Sequence, residues 1–396
     1  MRRGKRIAIL MTSAVSFNQL MRGQLEYLRS RGARLDFYSG GPEKELRKLR
    51  ARDVGRVLYV PFRREPSPLW DLISLLWLTA QLLFRRYDTV VYSTPKAMFL
   101  GSIAAWLTWQ RRRIAWVRGR AYENFTGRKR ALYVALDRIC FRLSNTILLV
   151  SPSLVEAYAG DRIDIQNSFV VGHGSSNGVD TDRFKPLPDG DRRELRSRQG
   201  FSPDDFVIVV VGRVREDKGA KEILELSRRL ANVGNLRIAM VGTIEEPALA
   251  QEIEGHGDRL RSFPPAPDVE RFFQIADLHL FLSHREGFGN VAIEAAAVGV
   301  PTFGFDVVGV RNSVVEGATG RLFAFGDLDS LASEIRAAAN DRSRFRSGFS
   351  NSREVVSERF AQHSMWQGYA GLFLGEQSGL AARADRLTGA RGATTS

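Results

Sequence analysis

Short, nearly uninterrupted apolar runs alternate with segments of helical periodicity along this chain, and the alternation occurs twice. A strand buried on both faces reads as a continuous hydrophobic run, and a parallel sheet covered by helices on both sides buries strands in that way. In the first half the runs are Arg6–Met11, Arg34–Ser39, Arg56–Val60, Thr89–Tyr92, Arg113–Val117, Thr146–Val150 and Ser168–Val171. In the second they are Val207–Val211, Leu236–Val241, Leu278–Leu282 and Pro301–Phe305. Between the two sets, Asp180–Asp205 is polar, holds three prolines and lacks an apolar run, which reads as a linker. A chain of 396 residues also exceeds the size at which one core keeps growing. The expected fold is α/β, with two Rossmann-like, doubly wound domains facing a cleft. The expected boundaries are 1–185 for the first domain, 186–205 for the linker and 206–378 for the second, its last helices free to cross back to the first. Residues 379–396 are small, polar and poor in apolar content, the composition of a disordered tail.

One cysteine, Cys140, excludes an internal disulfide, and its apolar, helix-like surroundings predict a buried thiol. The positive N-terminus is followed by an apolar run that breaks at Thr12 and Ser13, so it reads as a first strand rather than a signal peptide. The longest apolar stretch, Leu69–Phe84, is interrupted by Asp71, Ser74, Thr79 and Gln81 and falls short of the roughly 20 residues that span a bilayer. It reads as a core or interfacial helix, and a cytoplasmic protein, peripheral on the inner face of the plasma membrane, is expected. The formal charge of +14 is unevenly spread. Residues 1–185 hold 32 Lys and Arg against 15 Asp and Glu, whereas residues 186–396 hold 26 against 29. The basic half suits anionic lipid headgroups, an acceptor diphosphate or nucleic acid.

Two segments carry chemistry. The strand Val207–Val211 runs into GRVREDKGAKEIL, a glycine turn followed by a helix, with Arg213 and Lys218 flanking the turn. Backbone N–H groups at such a turn, the positive helix end and two cations suit a diphosphate, above all one that gains charge as it leaves. In the second segment, the strand Leu278–Leu282 leads through the loop SHREGFGN into the helix VAIEAAAV. Gly287 and Gly289 permit close backbone approach to a ligand, and Glu286 on the loop and Glu294 on the helix are acceptors for vicinal hydroxyls. His173, in VVGHGSSNGVD, is a further candidate contact. With five histidines and no pair at ligand spacing, no metal site is expected.

GRVREDKG together with EGFGNVAIE resembles the paired signatures of glycosyltransferase family 4, retaining enzymes of the GT-B fold, and NGVDTDRF resembles the segment that closes the N-terminal domain there. The first half is similar to the subgroup acting in polysaccharide and lipid-linked glycan assembly, through FNQLMRGQLEYLRSRG, YSTPKAMFLGSIAAW, VRGRAYENFTG and VSPSL. The resemblance implies that Arg213 and Lys218 hold the donor diphosphate and that Glu286 meets the donor sugar hydroxyls, assisted by the backbone amides of Gly287, Phe288 and Gly289. It further implies that Asn290 and Val291 line the diphosphate pocket and Glu294 binds the ribose. The chain departs from better-known relatives where Thr12, Ser13, Ala14, Val15 and Ser16 replace a glycine pair, and where Arg118 replaces a histidine; a cation there still suits a phosphate or sugar oxygen. Two Asp-x-Asp triplets, Asp180–Asp182 and Asp327–Asp329, fall in the domain-closing segment and at a helix start, so neither is read as a metal site.

The expected reaction is retaining, metal-independent transfer of a hexose or N-acetylhexosamine, without cofactor, from a nucleotide sugar, UDP-linked, to a polyprenyl-diphosphate-linked glycan or a polysaccharide. No nucleic-acid partner is expected. A sugar-nucleotide 2-epimerase on the same fold would need a cluster of acids and histidines that the sequence lacks, and a non-catalytic basic membrane- or nucleic-acid-binding protein leaves both donor motifs unexplained.

Overall fold

A computed structural model describes residues 4–63, 65–376, 379 and 381–383. The chain divides into two units: residues up to Asn177 together with those from His363 onward, and Gly178–Gln362. The first is built on seven parallel strands: β1 (Arg6–Ser13), β2 (Arg34–Gly40), β3 (Arg56–Tyr59), β4 (Thr89–Ser93), β5 (Arg113–Val117), β6 (Thr146–Leu149) and β7 (Ser168–Val171). Their order is β3-β2-β1-β4-β5-β6-β7. The second unit has six parallel strands: β8 (Phe206–Val211), β9 (Leu236–Val241), β10 (Leu260–Phe263), β11 (Leu278–Phe281), β12 (Thr302–Phe305) and β13 (Gly320–Phe323). Their order is β10-β9-β8-β11-β12-β13. Both orders are doubly wound, with the winding direction reversing between β1 and β4 and between β8 and β11. In open α/β sheets ligands bind beyond the carboxyl ends of the strands at such reversals.

The central strands are buried on both faces, as their unbroken apolar runs require. Ile7 to Leu10 in β1 and Phe206 to Val209 in β8 are fully inaccessible to solvent. The helix Ala220–Arg229 after β8 shows how the covering layer is written. Ala220, Ile223, Leu224, Leu226 and Ser227 are buried against the sheet, while Lys221, Glu225, Arg228 and Arg229 form ion pairs on the outer face. Cys140 is a free, buried thiol, and burial pushes its pKa up to about 12.

Two expectations are corrected. The segment 186–205 is no linker: it lies inside the second unit and forms a helix, Asp189–Arg198. Its polar composition misleads because two of its charges point inward. Arg192 and Arg196 donate to the fully buried carboxylate of Asp277 at 2.9 and 2.6 Å, and Arg342 reaches the same carboxylate at 2.7 Å. The chain instead passes between units at Asn177–Gly178 and again at Gln362–His363, so most of the helix Gln362–Leu374 belongs to the first unit. The second correction concerns the tail. Residues 381–383 form β14 (Ala381–Arg383), paired antiparallel with β7 through backbone hydrogen bonds that need no apolar side chains. Residues 380 and 384–396 of that tail lie outside the described residues.

Candidate active site

In the second unit, both sequence motifs hang from the strands that flank the reversal. After β8 the chain turns through Gly212 and Arg213 into a single turn of 3-10 helix, Glu216–Lys218, and then the helix Ala220–Arg229. The hinge is Gly219, at φ +80°, where a Cβ would stand 2.3 Å from the carbonyl oxygen of Leu282 at the end of β11. Only glycine lets the first motif pack this closely against the second. Lys218 Nζ consequently reaches Glu286 Oε1 at 2.5 Å and Ser283 Oγ at 3.3 Å. Both partners of this ion pair are 22% exposed, so the pair is accessible but shielded.

The loop after β11 is held from several sides. His284 N donates to Asp217 O at 3.1 Å, Glu286 N donates to Val308 O at 3.1 Å, and Ser283 Oγ donates to Arg285 O at 2.9 Å. Arg215 and Arg285 both pair with Asp217, at 2.6 and 3.6 Å. His284 Nε2 lies 2.7 Å from Glu222, with its ring edge-on to Phe325. Gly289, at φ +86°, ends the loop and precedes the helix Asn290–Ala297; a Cβ there would meet the Phe281 ring at 2.4 Å. Gly289 contributes no side-chain cap, and the positive end of this helix faces the loop. Asn290 and Val291 form its first turn and Glu294 its second, each partly exposed. The Phe288 side chain is buried against Phe360, so only its backbone is available to a ligand.

The structure therefore brings Lys218 and Glu286 into contact and sets Gly287, Phe288, Gly289, Asn290, Val291 and Glu294 on the same loop and helix. Arg213 is displaced from that contact. It is half exposed and pairs with Glu245 at 3.3 Å, a carboxylate it shares with Arg215. Ser283 was not among the sequence candidates, although it opens the SHREGFGN loop; a hydroxyl gives no signal until the lysine it meets is known. Among the described residues neither Asp-x-Asp triplet belongs to a group of three or more His, Cys, Asp or Glu side chains placed to hold a metal ion. Asp180 Oδ1 accepts from the N–H groups of Asp182 and Arg183, and Asp327 caps the helix Leu328–Asn340.

In the first unit, Arg118 follows β5 and His173 follows β7, at the same carboxyl edge of the sheet with β6 between them. His173 is exposed. The Arg118 guanidinium is stacked over Trp116, with Cζ 3.7 Å from the ring centroid, and its three nitrogens are buried. Burial pushes its pKa down to about 10, the nearby Tyr369 acting weakly in the other direction. Thr12, near the end of β1, bonds Thr94 across the reversal, Oγ1 to Oγ1 at 2.7 Å.

Two parallel-sheet α/β units of this winding define the GT-B class of fold. UDP-bound HepE of Anabaena superposes with a TM-score of 0.75 at 20% identity, over 92% of this chain and 98% of that one. Residues 191–358 match the family model described as glycosyl transferases group 1, and residues 18–174 match the glycosyl transferase 4-like domain. The capsular polysaccharide biosynthesis glycosyltransferase CapM of Staphylococcus aureus is 30% identical over 356 residues, 88% of this chain and 91% of the relative. D-inositol 3-phosphate glycosyltransferase of Geodermatophilus obscurus is 34% identical over 187 residues, 43% of this chain and 41% of the relative. The chain belongs to glycosyltransferase family 4 and is a glycosyltransferase.

Proposed function

We propose that this enzyme moves a hexose or N-acetylhexosamine, with retention and without a metal, from a UDP-linked donor to a polyprenyl-diphosphate-linked glycan or growing polysaccharide. The observation that carries the donor half is the Lys218–Glu286 contact at the reversal of the second sheet, beside a helix N-terminus. Lys218, with Arg213, holds the diphosphate; Glu286 and the amides of Gly287 to Gly289 take the sugar; Asn290 and Val291 line the phosphate pocket; Glu294 takes the ribose. With no donor bound, Lys218 is occupied by Glu286. An incoming diphosphate competes for the ammonium and frees the carboxylate for sugar hydroxyls, so charge and sugar recognition are coupled. The acceptor hydroxyl attacks the anomeric carbon on the face from which the diphosphate departs. The bond to the phosphate oxygen breaks, and that oxygen takes the hydroxyl proton, so positioning and electrostatics carry the rate. The UDP complex of HepE and the polysaccharide role in the name of CapM agree with this reading.

Labelled sugar from a panel of UDP-sugars is expected to enter the organic-extractable fraction of a membrane extract, with anomeric configuration kept by NMR and the rate unchanged by EDTA. Transfer only to small soluble alcohols, or an inverted product, sinks the reading.

The acceptor half rests on the helix Pro68–Arg85. It turns Ser74, Leu78 and Leu82 inward, and leaves Leu69, Leu72, Ile73, Leu76, Leu83 and Phe84 between 40 and 83% exposed along one face. Arg85 and Arg86 close its C-terminal end. An exposed apolar stripe ending in cations suits the surface of an anionic bilayer. The protein is expected to sediment with phosphatidylglycerol vesicles, and Leu72→Glu with Leu76→Glu is expected to weaken this at least about tenfold. Equal partitioning of variant and parent removes the stripe from the account.

A further inference from the structure

Arg118 is a buried cation that the protein leaves unanswered. Nε, Nη1 and Nη2 are all inaccessible to solvent, and none has a hydrogen-bond acceptor. Among the described residues no carboxylate pairs with it. The chain's other deeply set guanidinium groups are built differently. Arg120, two residues further on, pairs with Glu123 at 2.7 Å and Asp161 at 2.9 Å, and Arg192 and Arg196 share Asp277. Burying a guanidinium with all its donors idle is costly, and stacking on Trp116 answers only the face of the ion and none of its N–H edges.

The support beneath Arg118 is rigid. Trp116 is fully buried, with Tyr369 and Phe373 of the helix Gln362–Leu374 against it at centroid distances of 4.9 and 5.3 Å. Tyr369 is itself fixed, its hydroxyl donating to Ser175 O at 2.5 Å. The plane of the guanidinium is thus set while its edge donors stay unused. A planar fork of N–H donors at fixed orientation matches two oxygens of one oxyanion. Its place at the carboxyl end of β5, one strand from the β1/β4 reversal, is where substrates reach such a sheet.

We propose that Arg118 binds an oxyanion of the substrate, a carboxylate or a phosphate, and so makes this enzyme selective for an acidic sugar or a phosphate-bearing acceptor. The proposal rests on the transferase reading above and narrows its substrate class. In the absence of that oxyanion the buried charge destabilises the fold, and binding offsets this cost.

Three measurements test it. In the full-length protein, the Arg118 Nε–H resonance, assigned by its loss in Arg118→Lys, is followed by NMR during titration with D-glucuronate, inorganic pyrophosphate and D-glucose. A saturable shift with glucuronate identifies a carboxylate source, one with pyrophosphate identifies a phosphate source, and glucose is expected to give none. No shift with either anion at millimolar concentration overturns the proposal. In transfer assays the ratio of kcat/KM for the acidic over the matched neutral substrate is expected to fall about 100-fold in Arg118→Gln, with Arg118→Lys between the two; an unchanged ratio overturns it. Finally, Tm of Arg118→Gln is expected to equal or exceed that of the parent, because relief of the buried charge outweighs the lost stacking on Trp116 and no hydrogen bond or ion pair is lost, whereas a purely structural arginine would lower it. If anion shifts persist while no UDP-sugar is ever turned over, the transferase reading fails and the anion site stands.

Discussion

Alanine at Lys218 is expected to lower kcat/KM for sugar transfer by about 10²–10³-fold or more, the usual loss when one donor is withdrawn from a developing oxyanion. The fold should survive. Lys218 lies on a single 3-10 turn, its ion pair with Glu286 is 22% exposed on each side, and the core of the unit does not depend on it. A pair this accessible contributes at most about 1 kcal/mol to stability. Glu286→Gln is expected to cost activity as well, by a different route. The amide still accepts from a hydroxyl, but it no longer attracts Lys218, so the ammonium loses the contact that sets its position before the donor arrives. The two effects should therefore be less than additive in Lys218→Ala/Glu286→Gln, and single-turnover rates of the four proteins measure that coupling. Full activity in Lys218→Ala would remove the donor-site assignment.

The strands were legible wherever burial on both faces produced an unbroken apolar run. β5, β7 and β9 begin and end where the sequence places them. β10 and β13 were missed because LRSF breaks its apolar pattern with Arg261 and Ser262, and GRLF is only four residues long at a sheet edge. The two site motifs were readable one by one, as glycine turns between strand and helix. Their contact was not, because Lys218 and Glu286 are 68 residues apart and meet only through the pairing of β8 with β11 and the approach of Gly219 to Leu282. The helix Pro68–Arg85 shows the opposite failure. Its composition announces an apolar element, but not that Ser74 faces in while Leu72 and Leu76 face out, since periodicity alone identifies two faces and does not say which is covered. The false linker fails for a related reason: charge was read as exposure, whereas Arg192 and Arg196 are charges paired in the interior.

That interior pairing makes the other large prediction. Asp277 accepts from Arg192, Arg196, Arg342 and the backbone N–H of Val207, and is fully buried. It joins the helix Asp189–Arg198 to the start of β8 and to the helix Arg342–Ser347. Asp277→Ala leaves three guanidinium groups around a missing anion and is expected to cost about 3–5 kcal/mol, read as a lower urea midpoint of the second unit. The pH dependence has a definite sign. Burial tends to raise the carboxyl pKa, but Arg196, Arg192, Arg342 and the Val207 N–H outweigh it and hold it below the ordinary value. A group whose folded pKa is depressed contributes its full stability above the unfolded value, about 3.9, and loses it as pH falls through the lower folded value. Other carboxylates titrate in the same range, so the informative quantity is the difference between parent and Asp277→Asn, in which their contributions cancel. That difference is expected to be constant from pH 7 to about 5 and to shrink below pH 4. A difference that grows on acidification would mean that the carboxyl is already protonated at neutral pH and that the three arginines are held by their backbone carbonyl contacts alone.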